Sequence, residues 1–175
     1  MTAGFLSLLS RANGLPEDTH WIIGPGMGFR ASHLWWGEPA RQRPEPHNGI
    51  DLREYEGGSL HAGAVVPLAL AGRIVHSCPD FIGTSLFALH DAPVQGRTLV
   101  TAYAHMSPLV VSSGTILPAG SPIGRIAAPR SSAPAHLHVS AMLIPQGCDL
   151  SGMTWDTLGA DGRVRFVDPL EALAG

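Results

Sequence analysis

Lysine is absent from this chain: all eleven basic residues are arginine, they are scattered, and the formal net charge is -3. A nucleic-acid partner calls for a clustered basic face, so this balance argues against one. Charged residues make up only 14% of the total, yet no apolar run approaches the roughly 20 residues needed to span a bilayer. Cysteine is nearly absent too. Cys78 and Cys148 lack Cys-x-x-Cys spacing, which disfavours a structural thiolate zinc site, and both one disulfide and two free buried thiols fit. There is no Gly-x-Ser-x-Gly elbow, paired catalytic Glu or phosphate-binding glycine loop with lysine. No repeat or interior linker divides the 175 residues, a length that buries a sizeable core as one domain. Phe5 to Leu9 is apolar but has no preceding basic residue and too short a hydrophobic region, so it makes a poor secretory signal.

What is abundant is turn chemistry. The 21 glycines and 15 prolines amount to about a fifth of the chain, a composition that favours short strands joined by turns over long helices. Leu60 to Val75 reads as strand ending in turn residues, and Ser85 to His90 with Gly96 to His105 as an antiparallel pair across Asp91 to Gln95. Leu109 to Val111, Pro122 to Ile126 and His136 to Leu143 follow as strands, and Leu170 to Ala174 as a terminal helical turn. The fold expected is mostly β, a single domain of twisted antiparallel sheet with loops walling a groove.

Nine histidines stand out. His47 and Asp51 are four residues apart, but Pro46, Asn48 and Gly49 make that segment a turn able to fold both side chains toward one ion. His136 and His138 are two apart in a strand and so share a face. A hydrolytic zinc takes three His or carboxylate ligands and keeps its fourth corner for water. His47, Asp51 and one member of the His136/His138 pair supply that set, with the other member and His105 as spare imidazoles. His20, His33, His61, His76 and His90 read as ordinary satisfied polar residues. Trp35 and Trp36 read as core or hinge in preference to a substrate wall, and Arg41, Arg43 and Arg53 as a solvated rim in preference to recognition of an acidic substrate group. Tyr103 fits either a contact to the reacting carbonyl or an ordinary strand aromatic.

The order His47-Asn-Gly-Ile-Asp51, then Tyr103-Ala-His105-Met-Ser107, then His136-Leu-His138 resembles the lysostaphin-like zinc metallopeptidases of the M23 type, which cut peptides in bacterial cell walls. The likeness runs from about residue 22 to residue 170, leaving 1–21 as an N-terminal extension before a domain at 22–175. Gly26-Met-Gly-Phe-Arg30 matches that family's entry segment, Ala71-Gly-Arg-Ile-Val75 a strand end, and Ser112 to Ile116 with Ala119 to Gly124 its paired glycine turns. Val167-Asp-Pro-Leu170 matches its ending. The resemblance implies a lysostaphin-like metallopeptidase fold, Zn2+ held by His47, Asp51 and His138, and His105 and His136 as the catalytic imidazoles. It also implies peptidoglycan peptides as partners and action in the cell wall, the periplasm or outside the cell. The poor signal at Phe5 to Leu9 leaves either a signal already removed or another route to the wall, such as lysis, a phage particle or a dedicated secretion machine.

Two departures bear on the substrate. Val139 and Ser140 stand where the family has an aromatic residue and Glu, and Ala127 to Ala135 replaces its Gly- and Thr-rich loop. A Gly-Gly bond and a D-amino-acid cross-link are therefore equal expectations. The alternative functions are a non-catalytic wall-binding or regulatory module, against which retention of all five polar residues counts, and a zinc hydrolase of another peptide or amide.

Overall fold

The computed structural model describes residues 4–37, 41–94, 96–130 and 132–174, so Gln95 of the expected turn and Ser131 of the loop before the His-x-His pair lie outside the described residues. Helix α1 (Phe5–Ala12) opens the chain, followed by β1 (Trp21–Ile22), β2 (Ile50–Leu52), β3 (Glu54–Tyr55), β4 (Gly58–Ser59) and β5 (Val65–Pro67). Then come β6 (Gly72–Pro79), β7 (Thr84–Val94), β8 (Arg97–Leu109), β9 (Ile116–Leu117), β10 (Pro122–Ile126) and β11 (Leu137–Pro145). Helix α2 (Trp155–Ala160), β12 (Arg165–Val167) and α3 (Pro169–Ala172) close it.

The principal sheet is antiparallel and has the order β12-β11-β8-β7-β6-β9, with β2 paired to β11, and β10 paired to β8 and β5. A small sheet, β1-β3-β4, stands apart. The mostly β fold read from composition is the one observed. The segment read as one strand from Leu60 to Val75 divides into β5 and β6. The turn read at Asp91 to Gln95 is shorter than expected, because β7 continues through the pairs Pro93↔Thr98 and Val94↔Arg97. Residues near Leu109 extend β8 and do not begin a new strand, and the terminal helical turn is shifted to Pro169–Ala172, where Asp168 caps it by accepting from the Leu170 N–H at 2.9 Å.

Both faces of the central strands are covered, which follows from their near-continuous apolar sequence. Leu86, Ala88, Tyr103, Leu137 and Val139 pack on one face with Phe5 and Leu9 of α1 and with Trp21. Phe87, Val100, Ala102, Met142 and Ile144 pack on the other with Leu158 of α2. The helix at Phe5–Ala12 has its apolar residues Phe5, Leu8 and Leu9 buried at helical spacing. Tyr103 is fully buried, and its hydroxyl accepts from the Ala69 N–H at 2.9 Å, so it is a core aromatic. Cys78 and Cys148 are both free thiols. No helix among the described residues is long and apolar enough to cross a membrane.

One glycine is required by packing at the groove. A Cβ on Gly49 would collide with the Val139 carbonyl oxygen and sit 2.9 Å from His138 Cε1. Gly49→Ala should therefore push β2 off β11 and destabilise the fold by about 1–3 kcal/mol, read as a lowered denaturant midpoint.

Candidate active site

The polar residues gather where β2, β8 and β11 meet. In β2, Ile50 and Leu52 turn into the first core, which leaves Asp51 on the opposite face, directly across from His138 in the β2–β11 register. The same alternation in β11 buries Leu137 and Val139 and turns His138 toward Asp51. His47 comes from the turn before β2, which is pinned to the entry segment by backbone bonds from the His47 N–H to Ala31 and from the Arg30 N–H to His47.

Three donor atoms converge there. His47 Nε2 lies 3.0 Å from His138 Nδ1 and 3.2 Å from Asp51 Oδ1, and His138 Nδ1 is 2.9 Å from Asp51 Oδ1. All three residues are buried. Each is also held from behind. The Gly28 carbonyl, which can only accept, lies 3.0 Å from His47 Nδ1, so that nitrogen carries the hydrogen and Nε2 keeps its lone pair. Ser140 Oγ lies 2.9 Å from His138 Nε2 and can take its hydrogen, leaving Nδ1 free to coordinate. The second Asp51 oxygen accepts from Trp35 Nε1 at 2.7 Å and from the Arg43 guanidinium at 3.4 Å.

Burial on its own would raise the Asp51 carboxyl, but the His138 and His47 rings packed against it outweigh burial and hold the group well below the usual carboxylate range. Burial pushes the His138 ring down to about 4, against the pull of Asp51, so near neutrality this imidazole is uncharged and able to serve as a ligand. The edges of a zinc tetrahedron built from bonds of about 2.0–2.1 Å measure roughly 3.3 Å. The observed triangle of nitrogen and carboxylate donors needs only slight expansion to meet that size, so the residues present fit zinc.

The two spare imidazoles stand beside this triangle without joining it. His136 Nδ1 donates to the Pro134 carbonyl at 2.7 Å, and its Nε2 is 3.7 Å from Asp51 Oδ1. Burial lowers the His136 ring from its ordinary value, partly opposed by Asp51. His105 faces His136 with ring centroids 4.7 Å apart. Strict alternation would not place it there. Ala104 lines the cleft and Met106 lies in the first core, so His105 between them also reaches the cleft only because the strand slips by one residue. The register shifts in this stretch, and His105 adopts φ 65°, an unusual conformation for a residue other than glycine.

The cleft has a volume of about 540 Å³. Trp36 packs on His136, Phe81 on His105 and Trp155 on His138, with centroids 5.6, 4.6 and 5.5 Å apart. The expectation that Trp35 and Trp36 are core or hinge is corrected: Trp36 lines the cleft and Trp35 donates to Asp51. Arg43 is likewise no part of a solvated rim, since its side chain is 14% exposed and its guanidinium is spent on Asp51 and on the Gly26 and His33 carbonyls. Arg41 is exposed, and Arg53 pairs with Glu54. His20, His33 and His61 are exposed, His76 stacks on Phe87, and buried His90 is satisfied by the Ala71 carbonyl and the Thr101 hydroxyl.

The sequence reading missed Asp80, Trp155 and the contact of Ser140 with His138. Asp80 sits in the β6–β7 turn, and its Oδ1 is 3.0 Å from His105 Nδ1. The only signal for it was Asp80-Phe-Ile-Gly83, an ordinary turn pattern.

A search of curated protein sequences found no match. Among solved structures, the chain is similar to the catalytic domain of the antimicrobial peptidase lysostaphin from Staphylococcus simulans, with TM-score 0.57, 20% identity, and coverage of 89% of this chain and 93% of that one. Against a longer lysostaphin structure the TM-score is 0.60 at 19% identity, covering 99% of this chain and 56% of that one, so the chain spans little more than half of that molecule. A zinc-containing peptidase from Vibrio cholerae matches with TM-score 0.51 and 22% identity over 71% of this chain and 34% of that one. At these identities the likeness establishes the fold, which is lysostaphin-like. The model of peptidase family M23 matches residues 45–149, a segment that carries His47, Asp51, Asp80, His105, His136 and His138. Since that segment is more than half of the sequence, the chain belongs to peptidase family M23.

Proposed function

We propose that this protein is a zinc-dependent endopeptidase that hydrolyses peptide bonds in the stem or cross-bridge peptides of bacterial peptidoglycan, acting in the cell wall, the periplasm or outside the cell. The observation that carries this reading is the buried His47, Asp51 and His138 triangle beside two uncoordinated imidazoles in one cleft. His47 would hold the metal through Nε2, Asp51 through Oδ1 and His138 through Nδ1. Zinc, when bound, supplies a Lewis acid that acidifies water and polarises a scissile carbonyl.

The remaining work falls to side chains of this chain. His136 or His105 removes a proton from the attacking water through Nε2, and the other, in its protonated form, donates to the developing oxyanion. A protonated imidazole then delivers a proton to the leaving amine. The Pro134 carbonyl fixes the His136 hydrogen on Nδ1 and keeps its Nε2 as acceptor. Trp36, Phe81 and Trp155 narrow the approach and shield the histidines from bulk water.

Purified peptidoglycan digested with the enzyme should yield products with new amino groups and no new reducing ends, as read by mass analysis of the released muropeptides. Reducing sugars as the sole product would overturn the proposal. The same digest shows whether the cut bond is Gly-Gly or a D-amino-acid cross-link.

A further inference from the structure

We propose that Asp80 is a positioning residue for His105, holding both its ring tautomer and its backbone, an inference that rests on the reading of His105 as a catalytic imidazole. The carboxylate accepts from His105 twice, once from the ring at Nδ1 through Oδ1 (3.0 Å) and once from the backbone N–H through Oδ2 (2.9 Å). A carboxylate can only accept, so the hydrogen is fixed on Nδ1 and the Nε2 lone pair is left for proton transfer. The backbone bond anchors the residue whose φ of 65° brings the imidazole into the cleft. When the ring takes up a proton, the charge forms against a carboxylate whose side chain is 2% exposed.

The carboxylate is itself held rigidly. Oδ1 also accepts from the Ile82 and Gly83 N–H groups at 2.9 and 2.7 Å, and Oδ2 accepts from Ser85 Oγ at 2.8 Å. Ser85 Oγ in turn accepts from Trp155 Nε1 at 2.8 Å, which ties the carboxylate to a wall of the cleft. A residue serving only the turn would need the Ile82 and Gly83 bonds, which asparagine makes as well. The two bonds to His105 lie 25 residues away along the chain and contribute nothing to that turn.

The test compares wild type, Asp80→Ala, Asp80→Asn and His105→Asn as zinc-loaded proteins. Activity is read on a pentaglycine peptide and a D-alanine-cross-linked muropeptide dimer, and the histidine rings by long-range 1H–15N spectra. Asp80→Ala should lower kcat by roughly 10- to 100-fold with KM within about 3-fold, and should move the His105 hydrogen from Nδ1 to Nε2. Asp80→Asn keeps a neutral acceptor and loses the charge, so kcat should fall by about 10-fold or more with the Nδ1 tautomer retained. Should the alanine variant fail to fold, the asparagine variant decides. Folded Asp80 variants with wild-type kcat and unchanged ring spectra, beside an inactive His105→Asn, overturn the role of Asp80 and leave the endopeptidase reading intact. A fully active His105→Asn instead overturns the catalytic reading of His105.

Discussion

Replacing His47, Asp51 or His138 with alanine is expected to weaken zinc binding by well over 100-fold, since losing even a group behind a ligand costs roughly 10- to 100-fold. The wild-type protein should carry about one zinc per chain and lose activity to a chelator. Asp51 should prove the most damaging of the three to replace. Its removal leaves Trp35 Nε1 without its acceptor and Arg43 without its counter-charge, in addition to removing a ligand. Metal content by elemental analysis, together with zinc affinity by competition with a chromophoric chelator, checks the result. Near-native affinity in all three variants would dismiss the ligand set.

The second large effect separates coordination from proton transfer. His105→Ala and His136→Ala should keep zinc and fold while losing turnover by on the order of 100-fold or more. Their side chains line the cleft, yet neither contributes to the three-atom cluster of His47, Asp51 and His138. Substrate binding should change far less than rate. Zinc-loaded, folded variants that hydrolyse at the wild-type rate would reduce both residues to structural histidines and leave the proposed proton route without a carrier.

Much of this arrangement could be read from the chain alone, for identifiable physical reasons. The alternation Ile50-Asp51-Leu52 and Leu137-His138-Val139 turns the polar residue of each triplet to the face opposite two core residues, and those two triplets pair directly. Turn residues around His47 and the Pro122–Ile126 strand were likewise plain from local chemistry. The two longer helices were harder. Helix α1 has no side-chain cap, and its short run of Phe5, Leu8 and Leu9 gains its stability from docking on the sheet. Helix α2 begins with a capping box in which Thr157 stands in for the usual Glu or Gln, a weak signature in sequence. The role of Trp36 depends on a long connection between β1 and β2 folding back over the sheet, which no local pattern encodes. Asp80 reaches His105 through tertiary packing, whereas Ser140 meets His138 as a neighbour two residues along the same strand.

The slip in β8 means that this strand is written in two reading frames. From Val100 to Ala104, odd and even positions address fixed sides of the sheet; after His105 the parity is inverted, with Met106 occupying the side that an even-numbered residue would not otherwise reach. The left-handed backbone at His105 is the frameshift itself. Substitutions there consequently do two separable things: they remove an imidazole, and they either preserve or repair the frame. Asparagine tolerates that backbone and preserves it, whereas a β-branched valine opposes it and pulls the strand toward a single frame, at the expense of the Met106 packing. His105→Asn thus isolates chemistry, and His105→Val would report instead on how firmly the sheet enforces its own change of phase.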